Sequence, residues 1–348
     1  MHRITLTPPA KEQHGTTIIV ESGLLRKVQE HLGDLKRYDH VVVLYDQGIK
    51  TVAEKVTKAL AGCLTIPVES GDASKSLMEA ERIARFLLEA ECTRRTLLVC
   101  IGGGMITDLG GFLASLFMRG IPCAYVPTSL LGMVDAAIGG KTAVNAAQRK
   151  NILGTVTHPE SVLIDVDLLR DLPLKYLEDG LVEAIKVGAV TDAKLFRWME
   201  EHMEEVLKRD TVQLEECVAR AVQAKVNVVE MDDRDIKQRH LLNFGHTVGH
   251  AVEALSNFEI SHGRAVAIGM CAEMQAKKVP EADRVRSLLK TLDVPLEIPS
   301  SLRPDALFEA MLVDKKSIHG TVRVAVPKKI GEGVLETLTK EEFDSLFS

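Results

Sequence analysis

The chain has 348 residues, 46% hydrophobic and 26% charged, a globular balance rather than a disordered one and a length that suits two domains. A formal net charge of −6 with only 4% aromatics disfavours a nucleic-acid surface, which needs a basic surplus and stacking platforms. The opening MHRITLTPPAKEQHG has no apolar h-region, no later run is long enough for a membrane span, and the six cysteines form no C-x-x-C pair, so a reducing, cytoplasmic setting is expected.

Up to about residue 172, short β-branched runs alternate with helical patterns. His40–Tyr45, Cys63–Val68, Thr96–Ile101, Pro122–Val126 and Ser161–Ile164 read as strands, and Ile49–Leu60 and Leu77–Ala90 carry helical spacing. Strands that are apolar throughout, alternating with helices, predict an α/β domain: a Rossmann-like, mostly parallel sheet with helices on both faces. After Leu172-Pro173 the pattern turns helical, over Leu177–Val190, Ala193–Lys208, Val212–Met231, Thr247–Leu255, Gly263–Lys278 and Ala282–Leu292, with a late strand pair at Thr321–Val326 and Gly333–Glu336. The expected division is an α/β domain over residues 1–172 and a mostly α-helical domain over 173–348, with a shared site in the cleft between them.

Three strand ends carry polar groups suited to a nucleotide. Thr96–Ile101 runs into Gly102-Gly103-Gly104 and then a helix, where backbone N–H groups and the helix dipole favour phosphate. The standard dinucleotide fingerprint is not met, because Thr107 stands where its last glycine would be. Asp46 ends one strand and could hold ribose hydroxyls, and Gly71-Asp72-Ala73-Ser74-Lys75 follows another. Farther on, His246 and His250 lie at i and i+4 on one helix face, His262 follows, and Glu183 interrupts an apolar helix. Two histidines and a carboxylate form a common catalytic zinc set, but spacing does not choose two of the three histidines. Arg119, Lys141, Lys150, Lys186, Lys225, Arg239 and Lys315 stand beside apolar or glycine-rich stretches; converging on one cleft, they would favour an anionic substrate.

Taken in order, GGGMITD (Gly102–Asp108), Met118-Arg119-Gly120, VPTSLL (Val126–Leu131), Met133-Val134-Asp135, GGKTA (Gly139–Ala143), KNILG (Lys150–Gly154), Glu183-Ala184-Ile185-Lys186, NFGHTVGH (Asn243–His250), His262-Gly263 and Asp314-Lys315-Lys316 closely resemble the 3-dehydroquinate synthase family, over roughly residues 40–330. Each motif is weak alone, and the ordered set is specific. The resemblance implies an N-terminal NAD-binding domain, a C-terminal metal-binding domain, tightly held NAD, one Zn²⁺ for which Co²⁺ can substitute, and a homodimer. It implies a carbon–oxygen lyase acting on a small sugar phosphate, 3-deoxy-D-arabino-heptulosonate 7-phosphate, to give 3-dehydroquinate and phosphate in the second step of the shikimate pathway. Transient oxidation at C5, phosphate elimination, reduction, ring opening and aldol closure would follow one another at one site.

Carried over motif by motif, the metal ligands would be Glu183, His246 and His262. NAD would meet Asp46, Asp72, Lys75, Gly103, Gly104, Met105, Asp108, Thr128, Ser129, Lys141 and Lys150. Asp135, Lys141, Asn151, Lys186, Lys225, Arg239, Asn243, His250 and Lys315 would surround the substrate, with Arg119 reaching phosphate across a dimer interface. Asp72, Asp171, Tyr176 and Arg264 depart from the family's usual residues, the first three near the expected NAD site. No proposed ligand or substrate lysine is lost.

Overall fold

The computed structural model describes residues 15–147, 149–232, 235, 238–313, 317–318 and 321–347. In its first half, β1 (Thr17–Glu21) and a single turn, α1 (Val28–His31), precede β2 (His40–Asp46), α2 (Lys50–Ala59), β3 (Leu64–Val68), α3 (Leu77–Glu89), β4 (Thr96–Gly102), α4 (Gly104–Leu116) and β5 (Cys123–Pro127). A hairpin of β6 (Lys141–Ala146) and β7 (Arg149–Val156) follows, then β8 (Ser161–Asp165). Six strands form one sheet in the order β1-β8-β5-β4-β2-β3, every pair parallel.

Strand parity explains the two helical layers. Leu98 and Cys100 of β4 join the apolar cluster with Ile83 and Leu87 of α3 and with Ile106 and Leu109 of α4. Leu97, Val99 and Ile101 point the other way, into a cluster with Val28 of α1 and Ala53 and Val56 of α2. All residues of β4 are buried, which is why it reads as a continuous apolar run. From β2 the chain winds out to β3 and returns to β4 on the opposite side of β2, so the winding reverses between β2 and β4. Such a reversal is where open α/β sheets bind ligands, beyond the carboxyl ends of the strands.

The second half begins with α5 (Leu174–Thr191), whose residues from Leu177 to Val190 are all buried, as for a helix surrounded by others. α6 (Ala193–Leu207), α7 (Thr211–Met231), α9 (His262–Ala276) and α10 (Ala282–Leu289) pack on it, α8 (His246–Leu255) packs on α9, and α11 (Pro304–Val313) on α8. A short antiparallel sheet of β9 (Ser317–Ile318), β10 (Thr321–Lys329) and β11 (Glu332–Leu338) follows, and α12 (Lys340–Asp344) ends the described chain. One apolar cluster continues from the sheet's face into these helices.

The parallel sheet, the helices on both its faces and the helical second half agree with the sequence-based expectation. Several elements escaped it, among them the short α1, β9 and α12. β1 is short and half-exposed, the β6–β7 hairpin carries polar residues and a mostly exposed β7, and α11 opens on a proline, which fits the first helical position.

The missing third fingerprint glycine also has a structural answer. A Cβ at Gly110 would collide with Cys100 Sγ, and one at Gly111 with Tyr125 Oη and Thr142 Cγ2. Close packing of α4 on the sheet and hairpin is therefore supplied one turn after Thr107. We predict that Gly111→Ala destabilises the fold: roughly 1 kcal/mol of helix propensity is gained, but overpacking against a rigid tyrosine ring costs about 2–3 kcal/mol, for a net loss of about 1–2 kcal/mol. Urea denaturation checks this; an unchanged or raised midpoint would show that α4 has room to spare.

Candidate active site

At the switch point, Asp46 ends β2 and accepts hydrogen bonds from Gly48 N–H at 2.8 Å and from the Ser70 hydroxyl. Gly102, at the end of β4, accepts from Thr128 N–H at 2.9 Å, which holds the ends of β4 and β5 side by side. A Cβ at Gly103 would lie 3.3 Å from Ser129 Oγ, and one at Gly104 would lie 3.0 Å from Ala136 Cβ. Gly103, Gly104, Met105, Thr128 and Ser129 thus share one edge with Asp46. Lys75, nearly buried, donates to Asp108 and Asn151 at 2.5 Å each, tying the turn after β3 to α4 and to β7. Burial raises the Asp108 carboxyl pKa although Lys75 opposes the shift. Asn151 sits at φ +55° within β7, a left-handed conformation that asparagine tolerates well.

The metal candidates come together where α5, α8 and α9 meet. Glu183, on α5, has no exposed surface, and its Oε1 lies 3.7 Å from both His246 Nε2 and His262 Nε2. Two bonds of about 2.1 Å at a tetrahedral angle would separate ligand atoms by about 3.4 Å, so this spacing suits one divalent ion. The other carboxylate oxygen accepts from Lys186, while Oε1 is buried with no hydrogen-bond partner. An oxygen so placed is costly unless a cation meets it. The donor set therefore fits Zn²⁺ or Co²⁺.

Packing fixes this geometry. Gly245 opens α8 at φ +77°, and Glu273, buried on α9, accepts from Gly245 N–H at 2.7 Å and Val248 N–H at 3.2 Å. A helix start buried beneath a neighbour needs such a cap. A Cβ at Gly269 would collide with Gly245 O, so α8 and α9 cross closely enough to bring His246 and His262 within 5.2 Å, centroid to centroid. His250, one turn later, is exposed, with its ring 5.9 Å from that of His262.

Between the two regions, Gly132–Ala136 forms a π-helical turn, a feature frequent at functional sites, and it presents Asp135. Lys225 of α7 donates to the Asp135 carboxylate and, at 2.6 Å, to its backbone carbonyl. Burial pushes the Asp135 carboxyl pKa up, but Lys225 and Lys186 outweigh it and hold it well below the usual range. Burial likewise lowers Lys225, against the pull of Asp135. Arg239, buried, donates to Gly139 O at 2.9 Å, and Lys141 pairs with Asp235. Lys150 lies 2.7 Å from Glu253 and 3.5 Å from Asp72. Asn243 is half-buried immediately before this helix start, and Arg119 is exposed beyond α4 at φ +70°. Lys315 lies outside the described residues.

Family-wide sequence profiles described as 3-dehydroquinate synthase N-terminal and C-terminal match residues 65–179 and 180–317. Curated relatives named 3-dehydroquinate synthase include one from Sulfurisphaera tokodaii, 37% identical over 326 residues and 91% of each chain. Another, from Desulforamulus reducens, is 33% identical over 90% of this chain and 91% of its own. The chain belongs to the 3-dehydroquinate synthase family. Among solved structures, ValA, a 2-epi-5-epi-valiolone synthase from Streptomyces hygroscopicus with NAD⁺ and Zn²⁺ bound, is similar at a TM-score of 0.87 and 26% identity over 98% of both chains. A 2-deoxy-scyllo-inosose synthase complexed with carbaglucose-6-phosphate, NAD⁺ and Co²⁺ shares the fold at a TM-score of 0.82 and 22% identity over 95% of both.

The departures from the family's usual residues have local partners or none. Arg264 pairs with buried Glu178 at 3.0 Å, and Asp72 accepts from Asn145 at 3.1 Å, while Asp171 and Tyr176 are exposed. Sequence reasoning missed Glu253, Glu273, Asn145 and Asp235. Glu253 alone left a signal, standing three residues after His250 and seven after His246 on the same helix face. We predict that Asp135→Ala costs about 3 kcal/mol by stranding Lys225, at the low end for a broken buried pair because the backbone carbonyl bond survives. Chemical denaturation of the metal-free protein measures it; a wild-type midpoint would mean the pair contributes nothing to folding.

Proposed function

We propose that this chain converts 3-deoxy-D-arabino-heptulosonate 7-phosphate to 3-dehydroquinate and inorganic phosphate. The observation that carries the reading is the orphaned, buried oxygen of Glu183 facing two imidazoles, in a chain of this family. Glu183, His246 and His262 would hold Zn²⁺ or Co²⁺; Asp46, Asp72, Lys75, Gly103, Gly104, Met105, Asp108, Thr128, Ser129, Lys141 and Lys150 would hold NAD. When bound, the dinucleotide supplies a reversible hydride acceptor and the ion a Lewis acid for alcohol oxygens.

The chain's own groups then do the rest. Lys141, Asn151, Arg239 and Lys315 clamp the substrate's phosphate and carboxylate, and fixing both ends of a flexible sugar lowers the entropic part of the barrier. Asn243, Lys186 and Lys225 would face the same substrate, and the two buried lysines keep Asp135 ionised. Asp135 and His250 would accept and return protons. The division of labour follows residues 1–172 for the nucleotide and 173–348 for the ion and most substrate contacts. A homodimer, with Arg119 reaching the partner's phosphate, and a cytoplasmic location complete the reading; among the described residues no helix is long and apolar enough to cross a membrane.

Incubation with the heptulosonate phosphate, NAD and Zn²⁺ should release phosphate and form the carbocycle with no lasting NADH absorbance. NADH accumulating in step with turnover would mark a dehydrogenase instead, and faster turnover of a heptulose phosphate lacking the carboxylate would mark another cyclase. His246→Ala should abolish activity and bound metal together, whereas His250→Ala should lower the rate with metal content near wild type. Equal metal loss in both variants would overturn the ligand assignment.

A further inference from the structure

Glu253 is a carboxylate that no step of the reaction uses, yet it touches both halves of the site. Its side chain is 8% exposed. Oε2 lies 3.3 Å from His262 Nδ1, and Oε1 lies 2.7 Å from Lys150 Nζ. Lys150 is itself held over the Phe258 ring, 4.2 Å from its centroid, and lies 3.5 Å from Asp72 in the turn after β3. An imidazole can offer Nε2 to a cation only when its remaining proton sits on Nδ1, and an acceptor at Nδ1 fixes that tautomer and the ring's rotation. For His246 that acceptor is the Phe244 carbonyl, at 3.2 Å. For His262 it is a charged carboxylate, the stronger acceptor of the two.

We propose that Glu253 is the positioning residue of the metal centre, holding His262 with Nε2 turned toward Glu183 while its second oxygen fastens Lys150 of the β6–β7 hairpin to the same helix. This rests on Glu183, His246 and His262 being the ligands. A rival geometry exists, since His250, Glu253 and His262 also offer ligand atoms within 4.8 Å of one another. Both oxygens of Glu253 already face donors, however, whereas Glu183 Oε1 faces none. Glu253 therefore acts through His262 and does not meet the ion.

The test is Co²⁺ binding to the full-length wild-type protein and to Glu253→Gln, Glu253→Ala and Lys150→Met, without substrate. Competition with a chromogenic chelator gives affinity, and visible absorption reports coordination. Glu253→Ala should weaken binding roughly 10- to 100-fold, the usual effect of losing such a partner. Glu253→Gln, whose amide oxygen still accepts from Nδ1–H, should fall between Ala and wild type. Lys150→Met should change Co²⁺ affinity less than either, because it leaves the His262 bond intact. All Glu253 variants should keep one ion per chain and wild-type band positions. Unchanged affinity in Glu253→Ala would overturn the proposal. Loss of the ion or shifted bands in the near-isosteric Glu253→Gln would also overturn it, by making Glu253 a ligand. A wild-type protein that takes up no Co²⁺ would instead overturn the ligand assignment on which the proposal rests.

Discussion

A carboxylate buried to zero exposure with one oxygen unpartnered is the constraint on which this architecture turns. Removing a charge from water costs several kcal/mol unless it is met inside the protein. Lys186, one helical turn along α5 and almost as deeply buried, meets one oxygen of Glu183. The other oxygen is left between two imidazole nitrogens, all three offering lone pairs to the same point. That arrangement is poor as a structural hydrogen-bond network and good as a cation site, so a cation there would complete the packing as well as supply chemistry.

Most of the surrounding packing can be read as keeping those three groups aimed at that point. Gly245 and Gly269 let α8 and α9 meet backbone to backbone, and Glu273 satisfies the helix start that this contact buries. A Cβ at Gly263 would collide with the Asp179 backbone, so α9 begins directly against α5, the helix that carries Glu183. The carboxyl edge of the sheet reaches the same place by two routes. One is the π-turn, packed on Gly104, that delivers Asp135 to Lys225; the other is Lys150, between Asp72 and Glu253. The strand-end groups and the Glu183–His246–His262 cluster are therefore joined through side chains from both halves of the chain.

What could be read in advance follows from which physics is local. The sheet was visible because β4 and its neighbours are buried on both faces, and burial on both faces writes an unbroken apolar run. The β6–β7 hairpin was not visible, since its mostly exposed β7 carries little such pattern. The i, i+4 spacing placed His246 and His250 on one face but could not say that the first is buried beneath α9 while the second is exposed; the family resemblance made that choice, and the burial of the two residues is consistent with it. Glu253 and Glu273 act on partners that the sequence alone does not bring near, from His262 on the next helix to an N-terminus 28 residues back. No propensity or spacing rule reports an acceptor supplied across a helix crossing.

Anomalous diffraction from crystals of the Co²⁺-loaded protein, collected on both sides of the cobalt edge, tests the central claim most directly. The account predicts one peak about 2.0–2.2 Å from Glu183 Oε1, His246 Nε2 and His262 Nε2, with Lys186 still on the second carboxylate oxygen. A peak among His250, Glu253 and His262, or a Glu183 whose free oxygen faces no ion, would contradict it.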